Sequence, residues 1–181
     1  MKLIPTGIEN FKEMIDKNYY YIDKTNLIID FLNEQVIFCT RPRRFGKTLN
    51  MSMLYYFFSN KEKENAYLFD GLNISKNKEA LKHQNQYPVI FISLKDMKES
   101  KIENQLVKFS YIIARLLDQF EDILDDDIFN EREKKLLKRY HLNTASKNEL
   151  SESLLTISLC LRKYYHQKVI ILIDEYDVPL Q

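Results

Sequence analysis

Cysteine is scarce in this sequence, and its two copies lie far apart. Cys39 and Cys160 each lie inside an apolar run. The chain therefore has neither the paired cysteines of a disulfide framework nor the short ligand spacing of a zinc site. This usage excludes a disulfide-stabilised secreted domain and indicates a cytoplasmic protein.

Long apolar stretches are absent as well. A membrane-spanning helix needs about 18 or more consecutive apolar residues, and the sequence has no run of that length. Residues 1–9 also lack the apolar core of a signal peptide. We therefore expect neither membrane spanning nor secretion.

An excess of charge of one sign is missing too. Lys and Arg total 27 and Asp and Glu total 26, so the formal net charge is +1. This balance argues against a polycation that wraps nucleic acid, and the charge does not indicate a nucleic-acid partner. Any function that depends on charge must be local.

The abundant residues indicate a folded globular protein. Hydrophobic residues make up 45% of the 181 positions, with 11 Phe and 12 Tyr, whereas disordered chains are poor in aromatic residues. The length suits one domain. Only three glycines occur, at positions 7, 46 and 71, so the place of each one is informative.

Two kinds of apolar pattern alternate along the chain. Short unbroken runs over 35–40, 89–94 and 169–173 predict strands buried on both faces. Apolar residues spaced by three and four predict helices over 24–33, 46–60, 101–124, about 130–140 and 150–165, the first of them capped by Asp23. This alternation predicts an α/β fold, a parallel sheet flanked by helices. Ligands of such sheets bind beyond the carboxyl ends of the strands.

One such end, after Thr40, carries half of a phosphate-binding pattern. In the pattern G-x-x-x-x-G-K-S/T, which lies between a strand and a helix, backbone N–H groups surround phosphates, the lysine neutralises them and the hydroxyl binds magnesium. Residues 41–48 end in Gly46, Lys47 and Thr48, but Arg41 replaces the first glycine. The pattern predicts nucleotide contacts from Arg43, Arg44, Phe45, Gly46, Lys47, Thr48 and Leu49.

The other end, after Ile173, carries an acidic pair. Asp174 at the tip of a strand can hold magnesium, and a neighbouring Glu175 can polarise the attacking water. The simpler interpretation is an ordinary helix start at Lys47 and a solvated turn at Asp174, and for Asp177 we favour the solvated turn. Two half-motifs in the right order favour a nucleotide site. The arginines of the loop either assist phosphate binding, form surface ion pairs or bind nucleic acid.

These segments resemble the AAA-ATPase-like family of bacterial and archaeal P-loop ATPases, whose members often carry a restriction-endonuclease-like nuclease domain at the C-terminus. The resemblance rests on residues 4–11 with 20–25, on the loop 41–48 and on the acidic strand end 174–177. It implies a Walker A motif at the loop, in which Arg41 is a family trait, and a Walker B motif at the strand end. It implies that Lys47 binds phosphate and that Thr48 binds Mg²⁺. It also implies that Asp174 coordinates the metal and that Glu175 activates the attacking water. It gives no role to the segment Y-x-D-K-T at 21–25.

The resemblance also implies how the chain is organised. We expect a lead-in over residues 1–34 and a P-loop ATPase core over 35–181 that is truncated after the Walker B strand, because related ATPases place a later strand between the two motif strands. A nuclease-like domain is expected beyond residue 181. Without the separating strand, buried N–H and C=O groups would lack partners, so we expect the isolated chain to be poorly soluble and nearly inactive.

The leading hypothesis for function is an ATP-binding module that hydrolyses ATP with Mg²⁺ when complete. One alternative is a regulatory nucleotide-binding switch with negligible turnover, because a loop crowded with arginines need not align water well. The other alternative is the ATPase part of a nucleic-acid-associated nuclease protein.

Overall fold

Helices alternate with two short strands in the computed structural model, which describes residues 2–34, 36–37 and 46–180. The α-helices are α1 (Phe11–Asp16), α2 (Leu27–Asn33), α3 (Lys47–Phe58), α4 (Lys78–Leu81), α5 (Ile102–Asp118), α6 (Glu131–His141), α7 (Lys147–Ser151) and α8 (Ser153–Tyr165). The strands are β1 (Val89–Ser93) and β2 (Ile170–Asp174), and 3-10 helices cover Lys63–Phe69, Asn73–Lys76, Glu121–Ile123 and Val178–Leu180. The chain divides into two compact units, Met1–Val89 and Ile90–Gln181.

Two of the three predicted strands are confirmed. β1 and β2 pair in a two-stranded parallel sheet, so the combination with helices is an α/β arrangement. The third predicted strand, over 35–40, lies outside the described residues apart from Val36 and Ile37. These two belong to no strand, and Val36 is 70% exposed, in contrast to the buried position predicted for it.

β2 is buried on one face, whereas the sequence predicts burial on both. Leu172 and Asp174 are buried, but Ile171 is 43% exposed and Ile173 is 38% exposed. Successive side chains of a strand point to opposite faces, so the exposed pair shares one face. An unbroken apolar run does not by itself show that both faces are covered.

Aromatic packing forms the core of the first unit. The ring of Phe11 in α1 stacks on that of Phe69 with centroids 5.2 Å apart, and Phe57 of α3 meets Phe69 edge to face at 5.0 Å. Such pairs contribute about 0.5–1.5 kcal/mol beyond the burial of their area. Helix α1 is further tied to α3 by the backbone N–H of Phe11, which donates to Ser52 Oγ at 3.0 Å.

The predicted cap at Asp23 is wrong. Helix α2 begins at Leu27, and its N-cap residue is Asn26. The carboxylate of Asp23 instead accepts hydrogen bonds from Thr25 N–H (2.9 Å), Thr25 Oγ1 (2.7 Å) and, fifty positions along the chain, the N–H of Asn73 (2.7 Å). Thr25 Oγ1 in turn accepts from the N–H of Ile74 at 3.1 Å. We call these four residues the Asp23–Thr25 clasp.

The clasp changes the acidity of Asp23. Partial burial by itself would raise the pKa of this carboxyl group, but the hydrogen bonds from Thr25 and Asn73 outweigh it and hold the pKa below its usual value. A carboxyl group with a lowered pKa in the folded state stabilises the fold above its unfolded pKa. This stability is lost as the pH falls through the lowered folded pKa.

In the second unit, apolar side chains of β1 and of the four helices α5 to α8 form the core. Ile90 and Ile92 of β1 belong to one buried cluster with residues of α5, α6 and α8. Helix α6 begins with a capping box, in which Asn130 and Glu133 bond each other's backbone N–H groups. This box agrees with the predicted helix start near residue 130.

Helix α5 ends at Asp118, although the apolar spacing predicts a helix to residue 124. A 3-10 helix follows over Glu121–Ile123, and both Phe120 and Ile123 are buried. A 3-10 helix has fewer residues per turn than an α-helix and so changes the direction of the side chains. The break lets both residues enter the core.

No helix within the described ranges is long and apolar enough to cross a bilayer. The division into a lead-in over residues 1–34 and a core over 35–181 stays a prediction.

The clasp predicts a large loss of stability for Thr25→Val. Thr25 is fully buried, and the isosteric valine leaves the buried N–H of Ile74 without its acceptor and Asp23 without one donor. We expect the free energy of unfolding to fall by about 1–3 kcal/mol. Denaturant unfolding at neutral pH measures this change.

The matched control is Thr25→Ser, which keeps the hydroxyl group and removes one methyl group. Its expected loss is about 0.8 kcal/mol. Equal stabilities of Thr25→Val and the wild type would show that the clasp does not stabilise the fold.

Candidate functional site

The described part of the candidate phosphate loop is its last glycine and the start of α3. Arg43, Arg44 and Phe45 lie outside the described residues. Gly46 is the N-cap residue of α3 and has a left-handed backbone, with φ of 73°. Among the described residues, no heavy atom lies within 4 Å of a Cβ atom built at this position, so the backbone conformation is what favours glycine here.

Lys47, Thr48 and Leu49 form the first turn of α3, and all three are half-buried. The first N–H groups of an α-helix have no acceptor within the helix, and the helix dipole is positive at this end. The turn therefore suits an anion, and the Lys47 ammonium group adds a full positive charge. Of the seven residues predicted to bind the nucleotide, the structure describes Gly46 to Leu49, which lie side by side at the start of α3.

Residues of the lead-in hold helix α3 in place. The hydroxyl group of Tyr21 lies 3.5 Å from the sulfur of Met53, and Asn10 Nδ2 donates to the Tyr56 hydroxyl at 3.2 Å. Burial raises the pKa of Tyr21 to about 12, so its hydroxyl stays protonated at neutral pH. These contacts add to the Phe11–Ser52 bond and anchor the helix whose first turn carries Lys47.

The acidic pair lies where β2 ends. Asp174 is the last residue of the strand and is 2% exposed. Its Oδ1 accepts the N–H of Glu175 at 3.1 Å, and its backbone carbonyl accepts the N–H of Leu94 at 3.0 Å. The neighbouring Glu175 is half-buried, so two adjacent carboxyl groups have different surroundings.

Glu175 has a left-handed backbone with φ of 54°. This conformation is unfavourable for a residue with a side chain and costs about 1–3 kcal/mol, so it persists only where the surroundings hold it. The chain turns sharply here, and the N–H of Val178 donates to the Glu175 carbonyl at 3.1 Å. Tyr176 and Asp177 are exposed, which agrees with the solvated turn predicted for Asp177.

The candidate residues thus form two half-sites. Gly46 to Leu49 belong to the unit that ends at Val89, and Asp174 with Glu175 belong to the unit that begins at Ile90. The first half-site offers N–H donors, an ammonium group and a hydroxyl group, which suit phosphate. The second offers carboxylate oxygens, the donors that Mg²⁺ prefers.

Sequence reasoning missed a surface group in the second unit. Single ligand atoms of Asp118, Glu121 and His141 lie within 4.8 Å of one another, and His141 Nε2 lies 2.9 Å from Asp118 Oδ1. The end of α5 and the end of α6 bring these residues together. At least twenty positions separate His141 from the other two residues, and no metal-ligand spacing marks the group in the sequence.

Two cavities of about 580 and 530 Å³ border helix α6. Their walls carry side chains of both signs, such as Lys134, Lys138 and Asp125 in the larger one. Neither cavity includes a residue of the two half-sites. Both walls combine basic with acidic side chains, so neither cavity is lined by charges of one sign.

Comparisons with known proteins give one family for this chain. Residues 5–181 match a family model described as "Predicted AAA-ATPase". Among curated proteins, an "Uncharacterized protein in vnfD 5'region" of Azotobacter chroococcum mcd 1 is 36% identical over 75 residues. That match covers 40% of this chain and 14% of the length of the relative. No solved structure matches the chain.

The left-handed backbone at position 175 predicts that Glu175→Asn stabilises the fold. Asparagine adopts this conformation more readily than other residues with side chains. We expect a gain of up to about 1 kcal/mol in the free energy of unfolding, measured by denaturant titration. Glu175→Gln is the control, because glutamine keeps the chain length of glutamate and gains no backbone freedom. Coincident unfolding curves for the two variants would contradict the prediction.

Proposed function

The chain belongs to the predicted AAA-ATPase family, and from this premise we propose that it is the ATP-binding module of a P-loop ATPase that hydrolyses ATP with Mg²⁺. One observation carries the proposal. A left-handed glycine, Gly46, leads directly into a helix whose first residues are Lys47 and Thr48. This arrangement supports phosphate binding because it joins the N–H groups of a helix start, a positive helix end and a cation at one place.

In this proposal the first half-site binds the phosphates. We assign binding of the phosphate oxygens to the backbone N–H groups from Arg43 to Leu49, and neutralisation of the β- and γ-phosphates to Lys47. Thr48 supplies a hydroxyl oxygen for Mg²⁺. The anchors of α3 on the lead-in support this role, since a binding group on a fixed helix needs little reordering when the ligand arrives.

The second half-site holds the metal and orients water. The carboxylate of Asp174 offers hard oxygen donors, the kind of ligand that Mg²⁺ prefers. Bound Mg²⁺ would neutralise charge on the phosphates. Glu175 is the proposed base that orients and polarises the attacking water. The different surroundings of the two carboxyl groups support this division of roles, because the Asp174 carboxyl group is buried and accepts the Glu175 N–H, whereas Glu175 is partly open to solvent.

Lys47→Ala tests the phosphate site. We expect this variant to bind Mg-ATP at least about tenfold more weakly than the wild type, because a charge-assisted hydrogen bond contributes about 1.5–3 kcal/mol. Isothermal titration of the complete gene product measures the affinity. The control is Lys63→Ala, which removes an exposed lysine of the same unit. Equal affinities of the two variants would show that the phosphate site is wrongly assigned.

Glu175→Gln and Asp174→Ala separate chemistry from metal binding. Glu175→Gln should bind Mg-ATP nearly as well as the wild type but hydrolyse it about 10²–10⁴ times more slowly, the usual contribution of a general base. The Asp174→Ala variant should need a higher Mg²⁺ concentration than the wild type to bind ATP. Steady-state phosphate release and a magnesium titration measure these effects, with the exposed Asp177→Asn as control.

The outcomes of this experiment also separate the alternative functions. Equal loss of binding in both variants would reassign Glu175 to a metal or structural role. Tight ATP binding by a wild-type protein without turnover would replace the ATPase with a regulatory nucleotide-binding switch.

A further inference from the structure

Two loops meet where the strands of the second unit end. β1 ends at Ser93, and the loop after it leads to the start of α5 at Ile102. β2 ends at Asp174, and the turn after it runs through Glu175 to the 3-10 helix Val178–Leu180. The N–H of Leu94, the first residue after β1, donates to the carbonyl of Asp174, the last residue of β2. This bond brings the starts of the two loops together.

A single side chain joins the same loops farther out. Gln105 lies in the first turn of α5 and is half-buried. Its Nε2 donates to the carbonyl of Glu99 at 2.9 Å and to the carbonyl of Pro179 at 3.1 Å. A glutamine amide has two N–H donors, so these two bonds use both of them.

The loop after β1 is itself well anchored. Lys108 Nζ donates to the Asp96 carbonyl at 2.6 Å and forms an ion pair with Glu99 Oε1 at 2.6 Å. This ion pair holds the pKa of the Glu99 carboxyl group below its usual value. Met97 is buried, and its N–H donates to the Leu94 carbonyl at 3.0 Å. Gln105 therefore ties the turn after β2 to a loop that is already fixed to α5.

The turn after β2 needs such a restraint. The left-handed backbone of Glu175 is unfavourable and persists only where other contacts hold it. The local bonds at this turn include those from the Glu175 N–H to Asp174 Oδ1 and from the Val178 N–H to the Glu175 carbonyl. The bond from Gln105 to Pro179 fixes the far end of the same turn, four residues beyond Glu175.

We propose that Gln105 is a positioning residue, which holds the turn over 175–179 so that the Glu175 carboxylate keeps one orientation. The proposal rests on the proposed function of Glu175 as the base that orients water. Gln105 acts through the backbone of the turn and touches neither carboxylate of the acidic pair in the bonds described above. Its removal should therefore affect turnover and leave nucleotide binding in place.

The test variant is Gln105→Met, which keeps the length of the side chain and removes both donors. In the complete gene product we expect kcat for ATP hydrolysis to fall about tenfold, because small misplacements of a catalytic group have effects of up to about a hundredfold. KM for ATP should change less than twofold, since Lys47 is unaffected. Backbone amide exchange of Val178, whose N–H donates to the Glu175 carbonyl, should lose protection when it is measured without nucleotide.

Two control variants separate the effect of the Gln105 hydrogen bonds from a general loss of structure. Lys108→Met loosens the loop after β1 and leaves the Gln105–Pro179 bond in place, so its effect on kcat should be smaller. Asn104→Ala removes an exposed neighbour whose Nδ2 lies 3.5 Å from Glu99 Oε2, and it should behave as the wild type. Thermal melting of each variant shows whether it is folded.

The two readouts distinguish failure of this proposal from failure of the proposed function. Wild-type kcat and unchanged amide exchange in Gln105→Met would overturn the positioning role. A parallel change of kcat and KM with a lowered melting temperature would also overturn it and assign Gln105 to structure alone. A wild-type protein that does not hydrolyse ATP would overturn the role of Glu175, and amide exchange would then show whether Gln105 still holds the turn.

Discussion

In each half-site, one residue with a left-handed backbone lies directly at the end of a helix or strand. The candidate functional side chains lie at or next to this residue. Gly46 precedes Lys47 at the start of α3, and Glu175 follows Asp174 at the end of β2. Glycine adopts this conformation without steric cost, whereas glutamate does not. The two half-sites therefore differ in what they need: the first needs a particular residue type, and the second needs surroundings that hold an unfavourable backbone.

In the first unit, the residues before the candidate loop provide the support. Phe11, Tyr21 and Asn10 contact helix α3, and the Asp23–Thr25 clasp binds the chain around residue 73. The segment Y-x-D-K-T thus has a structural explanation in this chain. Its tyrosine packs on α3, and its aspartate and threonine satisfy two backbone N–H groups at the start of a 3-10 helix. An unsatisfied buried N–H group is costly, which explains the need for the Thr25 hydroxyl group opposite the buried Ile74.

In the second unit, the pairing of β1 with β2 sets where the acidic pair lies. The bond between Leu94 and Asp174 aligns the ends of the two strands, and the α5 side chains Gln105 and Lys108 bind the loops that follow. Only one face of β2 is buried, so the stability of this unit depends on the helices that pack on that face. The fixed loop after β1 and the strained turn after β2 form one connected edge, through which α5 can affect the acidic residues.

The sequence alone determined the features that depend on local pattern. Strand runs at 89–94 and 169–173, the helix start near residue 130, the helix after Gly46 and the identity of the candidate residues all follow from neighbours within a few positions. Only the tertiary structure decided the features that depend on distant partners: the bond from Asn73 to Asp23, the exposed face of β2, the early end of α5 and the bridge made by Gln105. A side chain has several acceptors and donors of similar strength near it in sequence, and the packing of the whole unit selects among them.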